Sequence, residues 1–171
     1  MDGSTRNIDV VERWLAAFDR RWPTEEELDG LLAPDVVFVE RPNLLNPVGG
    51  ERDRAAMLAG IEQGPELLAW QSYEVRDHLA RGDTVATRMR WRGELAVDAG
   101  PWPAGTRMSA WCVAHYRLAG GQIVQIEQHD CYEPPAPAIA AAPEPASAAA
   151  GLGRDHPILD TSASVGGGSP A

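Results

Sequence analysis

Four long segments with the character of β-strands follow one another in the second half of the chain, and they restrict the possible folds more than any other feature. Each is rich in β-branched or aromatic residues, and they cover residues 71–80, 84–97, 107–118 and 122–132. Gly120-Gly121 is a strong signal for a two-residue hairpin, and Arg81-Gly82-Asp83 marks another tight turn. Strands joined so closely predict an antiparallel meander.

The first part of the chain has helical periodicity instead. Apolar residues recur at spacings of three and four, which predicts one helix with a buried stripe formed by Ile8, Val11, Leu15, Phe18 and Trp22. Pro23 is expected to end this helix. Thr24 followed by Glu27 is a capping-box pattern, so a second, short helix is predicted over residues 25–32.

A strand and a third helix separate these two helices from the meander. Residues 36–39 form an apolar run that predicts a strand ending at Glu40. Residues 51–63 predict a helix, with Gly64-Pro65 as its stop signal, and the loop over residues 42–50 is expected to border the entrance of a pocket. The order of elements predicts an α+β fold in which three N-terminal helices pack on a strongly curved, mainly antiparallel sheet and leave a pocket beside it.

The composition limits the kinds of partner. The chain has 171 residues, enough for one domain and a tail, and its net charge is −10. All fifteen basic residues are arginines, and so acidic a chain is a poor partner for nucleic acid or for an anionic membrane surface. The polar N-terminus and the absence of a long apolar run predict a cytoplasmic protein, in which the two cysteines are free thiols.

The sequence predicts three segments. Residues 1–7 are expected to be a frayed N-terminus, and residues 8–133 contain all the periodic patterns. From residue 134 to residue 171 the composition changes to low complexity in Ala, Pro, Gly and Ser, without a periodic apolar pattern. We therefore predict one domain over residues 8–133, followed by a disordered tail.

Several local phrases occur in a fixed order along the predicted domain. They are APDVVFVE, GGERDRAAMLAGIE, GDTVATRMRW and GGQIVQIEQHDCYEP. Together with the order of elements, they resemble the SnoaL-like branch of the nuclear transport factor 2-like (NTF2-like) superfamily. The resemblance implies a cone-like domain with a pocket lined by the concave sheet. The superfamily includes ketosteroid isomerases, polyketide cyclases, scytalone dehydratase, limonene epoxide hydrolases and non-catalytic binding modules, so the fold alone does not fix the function.

The resemblance implies a catalytic carboxylate on the first strand. Isomerases of the superfamily carry a carboxylate base at the end of this strand, before a proline, and Glu40 falls there when counted from Asp35. Counted back from Pro42, Arg41 takes the position instead. We favour Glu40, because it shares a strand face with Phe38.

The resemblance also implies a second carboxylate, on the last strand. Asp130 matches an aspartate that points into the pocket of the family's epoxide hydrolases and cyclases. The hydrolases further need an Arg-x-Asp sequence on a middle strand, and Met89-Arg90-Trp91 stands there in this chain. The hydrolase triad is therefore absent, and epoxide hydrolysis by that mechanism is not expected.

Strand alternation predicts which side chains share a face with these carboxylates. On the third predicted strand of the sheet, an apolar set should face the pocket, namely Val85, Thr87, Met89 and Trp91, while the arginines at 88, 90 and 92 face outward. On the last strand the inward set should be Val124, Ile126, Gln128, Asp130 and Tyr132, unless a bulge exchanges Asp130 for His129. His115 faces the pocket in one register of the hairpin and the outside in the other.

Two carboxylates in one apolar pocket predict acid–base chemistry. Desolvation and mutual repulsion should raise the pKa of at least one of Glu40 and Asp130. A carboxyl with a raised pKa can move a proton beside a carbonyl, as in isomerisation, aldol cyclisation or dehydration. The alternative for Glu40 is an ion pair with Arg41 or Arg52 at the rim. The side chains expected to bind substrate are Phe38, Asn43, Met89, Trp91, His115 and Tyr132.

The working hypothesis is thus an enzyme without a cofactor. The sequence has no CxxC pair, HExxH motif or glycine-rich phosphate loop, so neither a metal nor a cofactor is expected. The expected partners are a small apolar organic ligand and a second copy of the chain, which would pair through the outer sheet face. The alternative hypothesis is a non-catalytic ligand-binding or scaffold module of the same fold.

Overall fold

A computed structural model describes residues 3–134 of the protein. In chain order its elements are α1 (Gly3–Ala16), α2 (Glu25–Asp29), β1 (Leu32–Glu40), β2 (Gly50–Asp53), α3 (Arg54–Leu67), β3 (Leu68–Arg81), β4 (Thr84–Leu95), β5 (Arg107–Ala119) and β6 (Gln122–Tyr132). The predicted tail lies outside the described residues except for Pro134. Among residues 3–134, no helix has the length and apolar character needed to cross a membrane.

The six strands form one mixed sheet in the order β2-β1-β6-β5-β4-β3. The meander from β3 to β6 is antiparallel, as predicted, and β1 joins its free edge in parallel with β6. This pairing places Glu40 directly beside Gln128, so the first and the last strand meet at one place. The α+β class is confirmed. The edge strand β2 was not predicted, because its residues read as the start of a helix.

The first helix is shorter than predicted and starts earlier. It begins at Gly3, within the segment predicted to be frayed, and ends at Ala16 rather than at Pro23. The chain turns at Arg20, which has a φ of 57°, and the Arg20 N–H donates to the carbonyl of Gln71 at 2.7 Å. This hydrogen bond connects the segment after α1 to β3. Phe18, which lies beyond the helix end, is nevertheless buried in the core.

The capping box of α2 is confirmed, whereas the predicted end of α3 is wrong. The hydroxyl of Thr24 accepts from the Glu27 N–H, and the Glu27 carboxylate accepts from the Thr24 N–H. Helix α3 continues through Pro65 to Leu67. Proline in this last turn removes only its own donor, and Gly64 is needed for packing rather than for termination. A Cβ at Gly64 would lie 2.0 Å from the ring of Trp22.

The inward and outward faces of β4 are those that the alternation predicted. Val85, Thr87, Met89 and Trp91 are buried, whereas Arg88 and its neighbours at 90 and 92 point away from the core. On β5 the even-numbered residues from 108 to 118 are buried, and the odd-numbered ones are mostly exposed. The core therefore lies on one face of the meander, under α1 and α3.

A bulge in β6 decides the register of the last hairpin. Gly120 and Gly121 have φ angles of 59° and 83°, which suit a two-residue turn, and Ala119 pairs with Gln122. Beyond the turn, Leu118 pairs with Ile123 but Arg117 pairs with Gln125, so residue 124 is an extra residue in β6. Ile123 therefore takes the inward place predicted for Val124, and the bulge lies before Ile126, so the parity of Asp130 is unchanged.

Candidate active site

A cavity of about 580 Å³ lies beside the inner face of the sheet, where β1, β3, β4 and β6 all contribute side chains. Five of the residues singled out from the sequence line it: Phe38, Glu40, Trp91, Asp130 and Tyr132. Leu44 and Leu45 of the loop between β1 and β2 line the cavity from one side, and Trp102 of the loop between β4 and β5 lines it from another. The volume and the mixed lining suit a small organic molecule.

Asp130 is a carboxylate of this cavity whose proton affinity is altered by its surroundings. It lies opposite Cys112 on β5 and faces inward. Burial raises the pKa of Asp130 and the negative charge of Glu40 adds to the rise, while hydrogen bonds from Cys112 and Gln128 oppose it. The Gln128 amide donates to both carboxylate oxygens, at 2.9 and 3.0 Å. Asp130 is therefore held in place and is easier to protonate than an ordinary aspartate.

Glu40 also lines the cavity, but its oxygens are occupied. The side chain is 15% exposed and forms an ion pair with Arg52. Asn43 donates to Oε1 at 2.8 Å and Asn46 donates to Oε2 at 3.1 Å. The ion pair that the sequence left as an alternative for Glu40 is thus present. Its carboxylate has little remaining capacity to take a proton from a substrate.

The loop after β1 explains why Glu40 has these partners. The side-chain oxygen of Asn43 accepts from the N–H groups of Leu45 and Asn46, both at 2.9 Å, and this turns the chain back on the strand end. Gly49 has a φ of 66°, and a Cβ there would lie 2.6 Å from the carbonyl oxygen of Glu40. Only glycine fits so close an approach, so the loop closes against Glu40.

Arg41 takes no part in the cavity. Its Nε donates to Glu127 at 2.8 Å, in an exposed pair. The rival register, in which Arg41 faces inward, is therefore wrong. The guanidinium inside the cavity belongs to Arg52, which comes from β2 and also lies 5.2 Å from the centroid of the Phe38 ring.

Two tyrosines add neutral hydroxyl groups to the lining. Tyr73 of β3 and Tyr132 of β6 both line the cavity. Burial raises the pKa of each phenol, and the charge of Asp130 contributes to both increases. Both phenols therefore remain protonated over the whole physiological range and can donate hydrogen bonds. The Tyr132 ring packs edge-to-face on Trp91, with centroids 5.7 Å apart.

Three residues predicted to bind substrate are placed elsewhere. Met89 is fully buried in the core and does not line the cavity. His115 is exposed on the outer face of β5, because the bulge in β6 turns the even-numbered residues of β5 inward; its ring lies 6.3 Å from that of His129. Asn43 is used to hold Glu40 and does not line the cavity itself.

Four polar residues on the strands line the cavity although the sequence did not predict that they bind substrate: Arg52, Gln71, Tyr73 and Gln128. The alternation that was applied to β4 would have found two of them on β3. Tyr73 pairs with Trp91, and Gln71 pairs with Gly93, so both lie on the inward face. Gln128 had been placed on the inward face but given no role. Arg52 had been named only as a possible ion-pair partner of Glu40 at the rim, because its strand was not predicted.

Other parts of the described chain are weaker candidates for a functional site. A cavity of about 920 Å³ lies beside α2 and α3, and its charged residues include Glu25 and Arg54, which pair with each other at 3.0 Å. The Arg54 guanidinium is shared between Glu25 and Asp29, so its charge is already compensated and this surface is a weaker candidate. Among residues 3–134, no group of three His, Cys, Asp or Glu side chains is arranged to hold a metal ion.

The family profile described as a SnoaL-like domain matches residues 11–126 of the chain. Among solved structures, IdmH of Streptomyces antibioticus, a candidate polyketide cyclase, is 26% identical; the match covers 72% of this chain and 91% of IdmH with a TM-score of 0.61. AclR of Streptomyces galilaeus, a candidate hydroxylase, is 22% identical over 75% of this chain and 81% of its own, with a TM-score of 0.61.

A third similar structure is a protein from Catenulispora acidiphila with a ketosteroid isomerase-like fold, solved in complex with trimethylamine. It is 17% identical and has a TM-score of 0.57, and the match covers 71% of this chain and 84% of that one. No curated protein matches the sequence. Identities this low, for AclR and for the Catenulispora protein, establish a shared fold and no shared activity.

Proposed function

Because the chain belongs to the SnoaL-like domain family, we propose that it is a cofactor-independent acid–base enzyme acting on an apolar organic molecule that contains a carbonyl group. The reaction would be an isomerisation, a polyketide-type cyclisation or a dehydration. The observation that carries this proposal is a carboxylate of raised pKa, Asp130, facing a cavity of about 580 Å³. Ionisable groups perturbed by burial inside a cleft are typical of active sites.

In the proposed mechanism Asp130 moves the proton. Its carboxylate removes a proton from the carbon beside the substrate carbonyl, and the electron pair of the broken C–H bond moves onto the carbonyl oxygen as an enolate. Neutral donors in the cavity stabilise that oxygen, and the protonated phenols of Tyr73 and Tyr132 are suited to this task. In an isomerisation the carboxyl of Asp130 returns the proton to another carbon as the enolate collapses. In a dehydration the C–O bond to a hydroxyl group breaks and the departing oxygen takes the proton. In a cyclisation the enolate carbon bonds to the carbon of a second carbonyl, and the oxygen of that carbonyl takes the proton.

Glu40 was predicted as a second catalytic carboxylate, and its contacts support a different role. Its oxygens accept from Arg52, Asn43 and Asn46, so it is poorly placed to act as a base. We propose that Glu40 is a positioning residue. It holds the guanidinium of Arg52 at the cavity wall, and its charge helps to raise the pKa of Asp130.

The proposal is tested without knowledge of the natural substrate. The protein is incubated in D₂O with a panel of aryl and cyclic ketones, and deuterium entry beside the carbonyl is followed by NMR. The enzyme hypothesis predicts exchange of at least one ketone above the buffer rate. Saturable ketone binding without exchange would instead support the alternative, a ligand-binding module without turnover. The matched control for the Asp130→Asn variant is Asp9→Asn, which changes an exposed aspartate and should exchange as the native protein does.

We also propose that two copies of the chain pair through the outer face of the sheet. Trp111 and Val113 of β5 are 41% and 38% exposed on that face. The guanidinium groups of Arg76 and Arg90 lie 5.6 and 5.4 Å from the Trp111 ring centroid, so they hold the ring in place. An ordered, exposed aromatic surface of this kind is common at interfaces.

A cytoplasmic location remains a prediction from the N-terminal sequence.

The dimer is expected to dissociate when a charge is placed on this face. Val113→Asp would bury a carboxylate in the interface, so sedimentation velocity should show a dimer for the native protein and a monomer for the variant. Val48→Asp, in the loop between β1 and β2, changes a side chain that is 87% exposed away from the sheet face and should leave the dimer intact. A native protein that sediments as a monomer at high concentration would remove the proposal.

A further inference from the structure

Gln71 is a buried polar residue to which the mechanism above gives no role. It lies on β3 opposite Gly93 of β4, is 6% exposed and lines the cavity. Its Oε1 accepts a hydrogen bond from the indole Nε1 of Trp91 at 3.0 Å. Among residues 3–134, this is the only hydrogen bond that the Gln71 side chain makes. The nitrogen end of the amide has no partner among these residues, yet it is not one of their fully buried polar atoms, so it reaches accessible space.

The bond from Trp91 fixes which way the amide faces. An indole N–H can only donate, so the atom of Gln71 that meets it must be the oxygen and not the nitrogen. The NH₂ group is then directed away from Trp91. This orientation follows from chemistry, because the reversed amide would set two donors against each other.

Gly93 makes this arrangement possible. Residues 91 and 93 lie on the same face of β4, and the indole of Trp91 occupies the space over the glycine. A Cβ at position 93 would lie 2.7 Å from Cζ2 of Trp91 and 3.0 Å from its Cη2. Any other residue there would push the indole away from Gln71. The glycine, the tryptophan and the glutamine thus act as one unit across two strands.

We propose that Gln71 is the hydrogen-bond donor, fixed by Trp91, for the carbonyl oxygen of the substrate. This inference rests on the proposed function and refines it. A phenol such as Tyr73 or Tyr132 can rotate and can either donate or accept, whereas the fixed NH₂ group of Gln71 can only donate. Gln71 therefore selects ligands with an acceptor atom at this point, and it stabilises negative charge that develops there when Asp130 removes a proton.

The test compares two ligands that differ only in the acceptor. These are 2-acetylnaphthalene and 2-isopropenylnaphthalene, in which a CH₂ group replaces the carbonyl oxygen. The affinity ratio of ketone to alkene is measured by fluorescence titration for the native protein and for Gln71→Met, which keeps the length of the side chain but cannot donate. The ratio is expected to fall about tenfold in Gln71→Met, because a buried carbonyl loses its donor. Gln63→Met, at an exposed position on α3, is the control and should keep the native ratio.

A second variant distinguishes the loss of a fixed hydrogen-bond donor from a change in the packing of the cavity. Trp91→Phe leaves Gln71 in place but removes the indole N–H, so the amide is free to turn and the ratio should fall although Gln71 is intact. The affinity for the alkene, which has no acceptor atom, shows whether the cavity of either variant is still intact. A native ratio in Gln71→Met, with ketone exchange intact, would overturn the role of Gln71 and leave the proposed function standing. A native protein that neither binds nor exchanges any ketone of the panel would overturn both.

Discussion

Replacing Asp130 with asparagine is expected to lower the rate of ketone exchange by about 10²–10⁴-fold, the range that a positioned acid or base contributes. Asparagine has nearly the same shape but cannot hold the transferred proton. Ketone affinity should change little, because the rest of the cavity lining is untouched. The measurements are the exchange rate by NMR and the dissociation constant by fluorescence titration, on the same variant.

The pH dependence of the exchange rate is a second test of Asp130 as the catalytic base. A base works in its deprotonated form, so the native rate should rise with pH and level off above the pKa of Asp130, which burial raises. The residual rate of Asp130→Asn should lack this rise. Exchange by Asp130→Asn at more than about a tenth of the native rate would exclude Asp130 as the catalytic base and would favour another group in the cavity.

Replacing Gly64 with alanine is expected to lower the free energy of unfolding by about 2 kcal/mol, since overpacking a filled core commonly costs about 1–3 kcal/mol. The added Cβ would lie 2.0 to 2.4 Å from three ring carbons of Trp22. The indole cannot move freely, because Phe18 packs against it with ring centroids 6.4 Å apart. Chemical denaturation followed by circular dichroism measures the change.

The same helix supplies a control of opposite sign. Gly60 lies in α3 with no atom within 4 Å of an added Cβ, so Gly60→Ala should raise the free energy of unfolding by roughly 0.5–1 kcal/mol through helix propensity alone. Equal effects at the two glycines would contradict the packing of Trp22 on Gly64. That result would instead favour the sequence-based prediction that Gly64 is simply a stop signal for the helix.

The elements with a regular period were predictable from the sequence. The four strands of the meander and the capping box at Thr24 follow from local patterns, and they are found within a few residues of their predicted bounds. The predicted ends of α1 and α3 were wrong, because distant residues decide both. After the first helix ends at Ala16, the chain is held by the hydrogen bond from Arg20 to Gln71 of β3. In the third helix, Gly64 leaves room for the ring of Trp22 and does not act as a stop signal.

The candidate site was only partly predictable for the same reason. Alternation placed Asp130 on the inward face, and the bulge that could have reversed it lies before Ile126. That same bulge decides the face of His115, and no sequence pattern reveals a single extra residue in a strand. The partnership of Glu40 with Arg52 depends on β2, a four-residue strand hidden at the start of a helical pattern.

The pKa of Asp130 itself tests the account most directly, since it requires no substrate. Titration of the ¹³C-labelled side-chain carboxyl by NMR gives the midpoint for this residue in the free protein. We expect a midpoint above the ordinary aspartate value of about 3.9, because burial and the charge of Glu40 both disfavour the carboxylate. In Glu40→Gln the midpoint should move down toward that value. A native midpoint at or below the ordinary value would contradict the proposal that this cavity prepares Asp130 for proton transfer.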